Sequence, residues 1–299
     1  MKVDYKKVIK NKDLRLKLIG LFNLIPDKPI LKLQYRIKNG RKLNLSEPKR
    51  YTEKLQWYKL NYRDKLMTKC SDKYEVRSYI EEKGYGDILN ELYGVYENVN
   101  EINFELLPNS FAIKVNNASG TNIFITDKTL MDINAVKKQL QVWLNPKRYS
   151  PGREWCYYDI HPKIIIEKLI ERDINNDLPD YKFFCFDGKV FCLYTMIDYA
   201  DNHENGKLGF YNRNFNKMPY RRTDFGEITV ELDKPKNFEK MIEIATKLSE
   251  DFPHVRVDFY NVDGKIIFGE LTFYNASGYT SFEPDEFDFI LGEQFVLPT

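Results

Sequence analysis

The rhythm of apolar residues changes near residue 70. Before it, Pro26, Pro29, Gly40 and Pro48 cut residues 1–65 into short pieces rich in Lys and Arg, and breakers at such intervals hold helices to a few turns. This part reads as a helical N-terminal extension. From Ser71, SDKYEVRSYIEEKG places Tyr74, Val76, Tyr79 and Ile80 at helical spacing between a capping serine and Gly84, which predicts a helix of about three turns. SFAIKVNNASGTNIFITD reads as two strands around a small polar loop, followed by a helix over 131–143. KIIIEKLIE, 163–171, has three successive isoleucines and reads as a strand leaving this lobe.

Two hairpins follow. Asp187-Gly188 separates apolar runs at 183–186 and 190–195, and HVRVDFYNVDGKIIFGELTFYN carries a second Asp-Gly at 263–264. Between them 237–251 reads as an amphipathic helix with Phe238, Met241, Ile242, Ile244, Ala245 and Leu248 on its apolar side. The pattern is that of an α+β protein with mostly antiparallel strands. It divides into the extension at 1–65, a small lobe at 66–166 and a large lobe at 167–299.

Composition sharpens this. Tyr and Phe number 21 and 20 in 299 residues, so large rings that favour strands fill much of the interior. Lys plus Arg total 46 against 44 acidic residues, a balance that gives no reason to expect nucleic acid. The basic run of Lys32, Arg36, Lys38, Arg41 and Lys42 reads as a solvated helix face. Cys70, Cys156, Cys185 and Cys192 lack metal-pair spacing and are too sparse for a disulfide scaffold, so a reducing cytoplasm is expected. No signal-like start or membrane-length apolar run is present. Peripheral contact with the inner face of a membrane is left to residues 14–25, apolar on one side and basic around it.

Several chemistries drop out. His161, His203 and His254 have no i, i+4 partner, which argues against zinc hydrolysis, and no G-x-S-x-G, C-x-x-C or G-x-G-x-x-G occurs. The last hairpin is more informative. With a two-residue turn at 263–264, Asp258 pairs with Gly269 and Glu270 faces away; with a three-residue loop at 262–264, Asp258 pairs with Phe268 and Glu270 shares its face. Two carboxylates about 7 Å apart on a diagonal suit magnesium. Local sequence leaves both registers open. Lys114 precedes the loop at 116–122, whose composition exposes backbone amides to anionic oxygens, although lysine before the loop is the reverse of a Walker motif. Lys73 at a helix start opposes the helix dipole, a hint of an anionic partner.

Taken in order, SDKYEVRSYI, FAIKVNNASGTN, IIIEKLI, YKFFCFDGKV and VRVDFYNVDGKIIFGELTF resemble the ATP-grasp superfamily, most closely its branch similar to the teichuronopeptide biosynthesis protein TupA. NLSEPKRYTEKLQWYKL and FYNASGYTSFEPDEFDFILGEQFVLP also resemble that branch. The resemblance implies two α+β lobes clasping ATP. Lys73 and Lys114 would meet phosphates, the loop at Ser119 and Gly120 would cover them, and Glu167, Lys168, Leu169 and Ile170 would meet adenine. Lys182 would face the nucleotide, Asp258 and Glu270 would hold magnesium, selecting the three-residue loop, and Arg256 would stabilise the transferred phosphoryl group. Asn275–Gly278 would line the acceptor site. Many relatives carry asparagine two residues after the glutamate; here it is Thr272. The implied reaction is ATP-dependent joining of a carboxylate to an amine through an acyl phosphate, in the assembly of a cell-surface polymer. A glycosyltransferase, disfavoured by the absence of D-x-D, and a kinase of a sugar or lipid hydroxyl are the alternatives. Arg221 and Arg222, in an expected loop, are candidates for holding a substrate carboxylate.

Overall fold

The computed structural model describes residues 25–145, 152–173, 176–198 and 206–298. The amphipathic segment up to residue 24 and His203 lie outside them. Two antiparallel layers dominate, and they form at the hairpins that the turn residues mark. The smaller sheet has the order β1 (Leu92–Tyr96), β4 (Ile164–Glu167), β2 (Phe111–Val115), β3 (Asn122–Ile125). The larger has the order β11 (Lys265–Thr272), β10 (His254–Val262), β5 (Asp180–Phe186), β6 (Lys189–Ile197), β7 (Lys207–Asn212), β9 (Gly226–Glu227), antiparallel except at β7 and β9. A short ladder joins β8 (Arg221–Arg222) to β12 (Phe282–Glu283). The chain is thus a mixed α+β protein. The strand 163–171 does not leave its lobe at once: β4 is an interior strand between β1 and β2, which is why all four of its residues are buried.

Both Asp-Gly turns are tight. Asp187 and Gly188 have φ of 47° and 69°, and Asp263 and Gly264 have 53° and 98°, the left-handed pair that matches the twist of two flanking strands. The helices are α1 (Asp27–Asn39), α2 (Tyr51–Asn61), α3 (Lys65–Ser71), α4 (Val76–Glu82), α5 (Ile133–Leu144), α6 (Phe238–Ser249) and α7 (Glu286–Gln294). The helix expected from Ser71 is shorter and capped differently. The Asp72 carboxylate accepts from the amides of Tyr74 and Glu75 at 2.8 and 3.2 Å, and α4 starts only at Val76. Before it, α3 is capped by Asp64, which accepts from Leu66 N.

The larger core is built from rings: Phe183, Phe184, Phe186, Tyr194, Phe210 and Phe259 of the sheet meet Phe238 of α6 and Phe287 of α7. Val76, Tyr79 and Ile80 of α4 and Met67 and Cys70 of α3 bury themselves in this same core. A segment assigned from sequence to the small lobe therefore packs on the large sheet. The second core, around Phe111, Ile113, Ile164, Ile166 and Leu140, backs the smaller sheet. All four cysteines are free and buried. No helix among the described residues is long and apolar enough to cross a membrane.

Candidate active site at the bulged hairpin

Neither register open from the sequence is the observed one. Val262 pairs with Lys265, so the turn is the two-residue Asp263-Gly264, and the ladder continues in that register to Phe259 and Phe268. There it shifts, and Asp258 pairs with Glu270. Gly269 is the extra residue of a β-bulge, which turns the following side chains over to the other face of the strand. The three-residue loop is corrected accordingly: a bulge five residues beyond the turn brings the two carboxylates onto one face, directly opposite each other rather than diagonal. Glycine suits the position. A Cβ there would lie 3.0 Å from the Asp258 carbonyl oxygen.

Cross-strand pairing then lines up a polar row. Glu270, Asp258, Lys182 and Tyr194 are successive partners across β11, β10, β5 and β6. Arg256, two residues before Asp258 and so on its face, donates to both Asp258 oxygens at 2.7 and 2.6 Å, to Glu270 Oε1 at 3.2 Å, to Thr272 Oγ1 at 3.0 Å and to Tyr194 OH at 3.0 Å. It also donates to Asn275 Oδ1. Thr272 donates to Glu270 Oε1 at 2.8 Å. Lys182 bridges Asp180 at 2.5 Å and Asp258 at 2.8 Å.

These contacts set the charges. Burial lowers the Arg256 guanidinium and the Lys182 ammonium, but neighbouring carboxylates outweigh it and lift both well above their ordinary values. Burial raises Glu270, whose side chain stays 44% accessible, and Lys182, Arg256 and Lys73 together hold it down at about 2. Asp180 is held up at about 6, because burial and Asp258 outweigh the pull of Lys182. Asp180 and Tyr194 were missed in the sequence. The available signal was Asp180 and Lys182 at i, i+2, on one face of a strand.

The small lobe supplies the other wall. Lys73 donates to the carbonyl of Ala118 in the loop that follows β2, and its own amide donates to Asn116 O at 3.2 Å. Burial lowers its ammonium. Lys73, Ala118 and Ser119 close with Gly269 and Glu270 around a cavity of about 30 Å³, which is room for a water and not for a nucleotide. Ser119 and Gly120 are exposed. Lys114 and Glu167 come together, at 2.7 Å, with Arg77 3.9 Å from the same carboxylate. Lys168, Leu169 and Ile170 continue from β4 as half-buried irregular chain, held by Asn90, which donates to Lys168 O at 2.8 Å. The structure thus brings Lys73 and Ser119 to Glu270, and gathers Lys182, Arg256 and Asp258 around it, while Lys114 and Glu167 pair with each other.

Hard oxygen donors facing each other suit magnesium, which takes one or two carboxylates and leaves its remaining positions to water and phosphate. No group of three or more His, Cys, Asp or Glu side chains among the described residues is arranged to hold a metal by itself. Asp258 and Glu270 therefore fit an ion shared with a phosphate-bearing ligand.

Solved structures similar to this chain include D-alanine–D-alanine ligase from Bacillus anthracis, 16% identical over 68% of this chain and 56% of that one, with a TM-score of 0.39. The Helicobacter pylori D-alanine–D-alanine ligase is 14% identical over 76% and 61%, with a TM-score of 0.42. ATP-grasp ligase PsnB, complexed with a phosphomimetic variant of its minimal precursor, Mg and ADP, is 10% identical over 98% and 74%, with a TM-score of 0.44. The chain thus spans 56% and 61% of the length of the two D-alanine–D-alanine ligases. No curated protein matches the chain. The model of the TupA-like ATP-grasp family matches residues 53–296, most of the sequence and all of the site just described, and the chain belongs to that family.

Proposed function

We propose that the protein is an ATP- and magnesium-dependent carboxylate–amine ligase that joins an amine, such as an amino acid, to an acid such as a uronic acid during assembly of a cell-surface polysaccharide. Family membership supports the ATP-grasp chemistry. The observation that carries the reading is the bulge at Gly269, which sets Glu270 opposite Asp258 beside Arg256 and Lys182.

In this reading Asp258 and Glu270 hold magnesium, which when bound neutralises phosphate oxygens. Lys73 and the loop around Ser119 and Gly120 receive the outer phosphates, Lys114 turns from Glu167 toward them, and Lys168, Leu169 and Ile170 border the base with Glu167. Arg256, fixed by Asp258, Tyr194 and Asn275, is the donor placed nearest to where charge grows on the transferred phosphoryl group, its Nη2 exchanging Glu270 and Thr272 for phosphoryl oxygens while the rest of the guanidinium stays held. The acceptor carboxylate attacks the γ-phosphorus and ADP leaves. The amine then attacks the acyl carbon, phosphate leaves, and the nitrogen gives up its proton.

The test is thermal stability with AMP-PNP and with UDP-glucuronate, each with and without magnesium, on wild type and Glu270→Gln. A magnesium-dependent shift with AMP-PNP that Glu270→Gln abolishes is expected, as is phosphate release when acid, amine and ATP are supplied together. A shift with the UDP-sugar alone overturns the ligase in favour of a glycosyltransferase.

A further inference from the structure

The lysine and the loop assigned to the outer phosphates are anchored on different layers. Lys73 lies in the turn between α3 and α4, whose Met67, Cys70, Val76 and Tyr79 are sunk in the core of the larger sheet. The loop at 116–122 joins β2 to β3 at the end of the smaller sheet. One side chain connects the two. Asn116 is wholly buried. Its Nδ2 donates to Asp72 Oδ2 at 2.8 Å and to His161 O at 3.0 Å, and its Oδ1 accepts from Lys163 N at 2.7 Å. Its own backbone donates to Lys163 O at 3.1 Å and accepts from Lys73 N at 3.2 Å. Asp72, also buried, spends its other oxygen on the amides of Tyr74 and Glu75.

A buried asparagine has to find partners for its polar groups, and the bonds to His161 and Lys163 do this within the smaller sheet. The bond to Asp72 does something else: it crosses to the element held on the larger core, at the residue next to Lys73. Hydrogen bonds to an ionised group shift an equilibrium by about ten- to a hundredfold, so this crossing is not incidental to where the loop sits. Beyond Asn116 the loop turns back on the same lysine. Ala118 O accepts from both Lys73 Nζ and Thr121 Oγ1, which leaves Ser119 and Gly120 exposed at the tip.

Resting on the ligase reading just given, we infer that Asn116 and Asp72 are positioning residues that make Lys73 and the phosphate loop one unit, so that the two meet the outer phosphates together. Neither touches the nucleotide. Asp72 holds the turn that carries Lys73, Asn116 holds the base of the loop, and the bond between them sets the spacing of ammonium and loop amides. A polyphosphate then finds a paired receptor whose ordering cost is already met. The base, placed on residues 167–170, is recognised elsewhere. Charge alone argues the opposite for Asp72: an anion beside Lys73 repels phosphate, and its removal would tighten binding if its bond to Asn116 did not matter.

The experiment is a double-mutant cycle on the full chain: wild type, Asp72→Asn, Asn116→Asp and the exchanged pair, each titrated calorimetrically with magnesium–AMP-PNP and with AMP, which lacks the outer phosphates. Asp72→Asn can still cap Tyr74 and Glu75 but sets amide nitrogen against amide nitrogen; Asn116→Asp sets carboxylate against carboxylate. The exchanged pair restores a donor opposite an acceptor at the net charge of wild type, giving up only the bond to His161 O. Each single variant is expected to bind magnesium–AMP-PNP about tenfold more weakly, and the exchanged pair to return to within about threefold of wild type. AMP affinity should stay within about twofold throughout. Either single variant with the exchanged pair carries the comparison should the other not fold. Unchanged or tighter AMP-PNP binding by the single variants, equal losses for AMP and AMP-PNP, or no recovery in the exchanged pair overturns the inference and leaves the ligase reading standing. A wild type that binds no magnesium–AMP-PNP overturns the ATP-dependent reading, and the inference with it.

Discussion

Replacing Gly269 by alanine tests the feature on which the site depends. The added methyl would meet the Asp258 carbonyl oxygen at 3.0 Å, its carbonyl carbon at 3.3 Å and its Cβ at 3.4 Å. The first is shorter than the ~3.3–3.6 Å of a close C–H···O contact. Relief has to come from backbone, because the obstructing atoms belong to the neighbouring strand and not to a flexible side-chain end. Overpacking of this kind costs about 1–3 kcal/mol. The functional loss should exceed that, since a displacement of about 1 Å at a reacting centre costs on the order of a hundredfold, and the strand that moves carries Asp258. Gly264→Ala is the control. It forces alanine to φ +98° in the turn, at a similar cost of about 1–3 kcal/mol, but the bulge lies beyond it on β11. Chemical denaturation gives the stability of each, and magnesium titration of the AMP-PNP thermal shift gives the site. Gly269→Ala should need far more magnesium than Gly264→Ala at comparable stability. Equal magnesium requirements in the two would refute the assignment of the bulge as the device that aligns the carboxylates.

Other expectations follow from the buried charges. Burial holds the His254 imidazole down at about 3, where it meets Tyr51 OH and Cys185 O at 2.9 Å each. The folded value lies below the unfolded one of about 6.5, so the stabilisation is full above pH 6.5 and fades as pH falls toward 3, by about 1.4 kcal/mol per unit. His254→Phe should flatten that acid limb in unfolding free energies measured against pH; unchanged slopes would contradict it. Lys182→Met strands Asp180 and Asp258 and should cost about 3–5 kcal/mol. Because Asp180 is already held above the ordinary carboxylate range, the folded variant binds its proton more tightly than the unfolded chain, so the deficit should grow as pH rises through 6. Denaturation at pH 5 and pH 8 reads this directly, and an equal deficit at both would show that Asp180 stays charged.

What was legible in the sequence is what short-range chemistry determines. Asp187-Gly188 and Asp263-Gly264 marked their turns because only a few residues tolerate two successive left-handed positions, and α6 announced itself by its apolar stripe. The Asp258–Glu270 pairing was not legible, since a bulge at Gly269 depends on the fit of two strands and leaves no local signature beyond a glycine. Helix α2 hid for a different reason: Tyr51, Thr52, Leu55, Gln56, Tyr58 and Lys59 are all buried, so it shows no polar face for a pattern to reveal. Asp180 reads as an ordinary loop acid until pairing sets it beside residues almost eighty positions away. The order of Lys73, Lys114, Glu167, Lys182, Arg256, Asp258 and Glu270 along the chain carried the family, although no one of them does so alone.

The polar row has a bearing on the order in which ligands arrive. Asp180, Asp258 and Glu270 are matched by Lys182, Arg256 and Lys73, so the protein by itself is at electrical parity there. A bare divalent cation would enter as an uncompensated double charge among fixed cations. Accompanied by a polyphosphate it enters as part of an anion, with Lys73 free to leave Ala118 and meet it. On the proposed ligase reading, metal and nucleotide are one thermodynamic ligand, and the apparent affinity for either is a function of the concentration of the other.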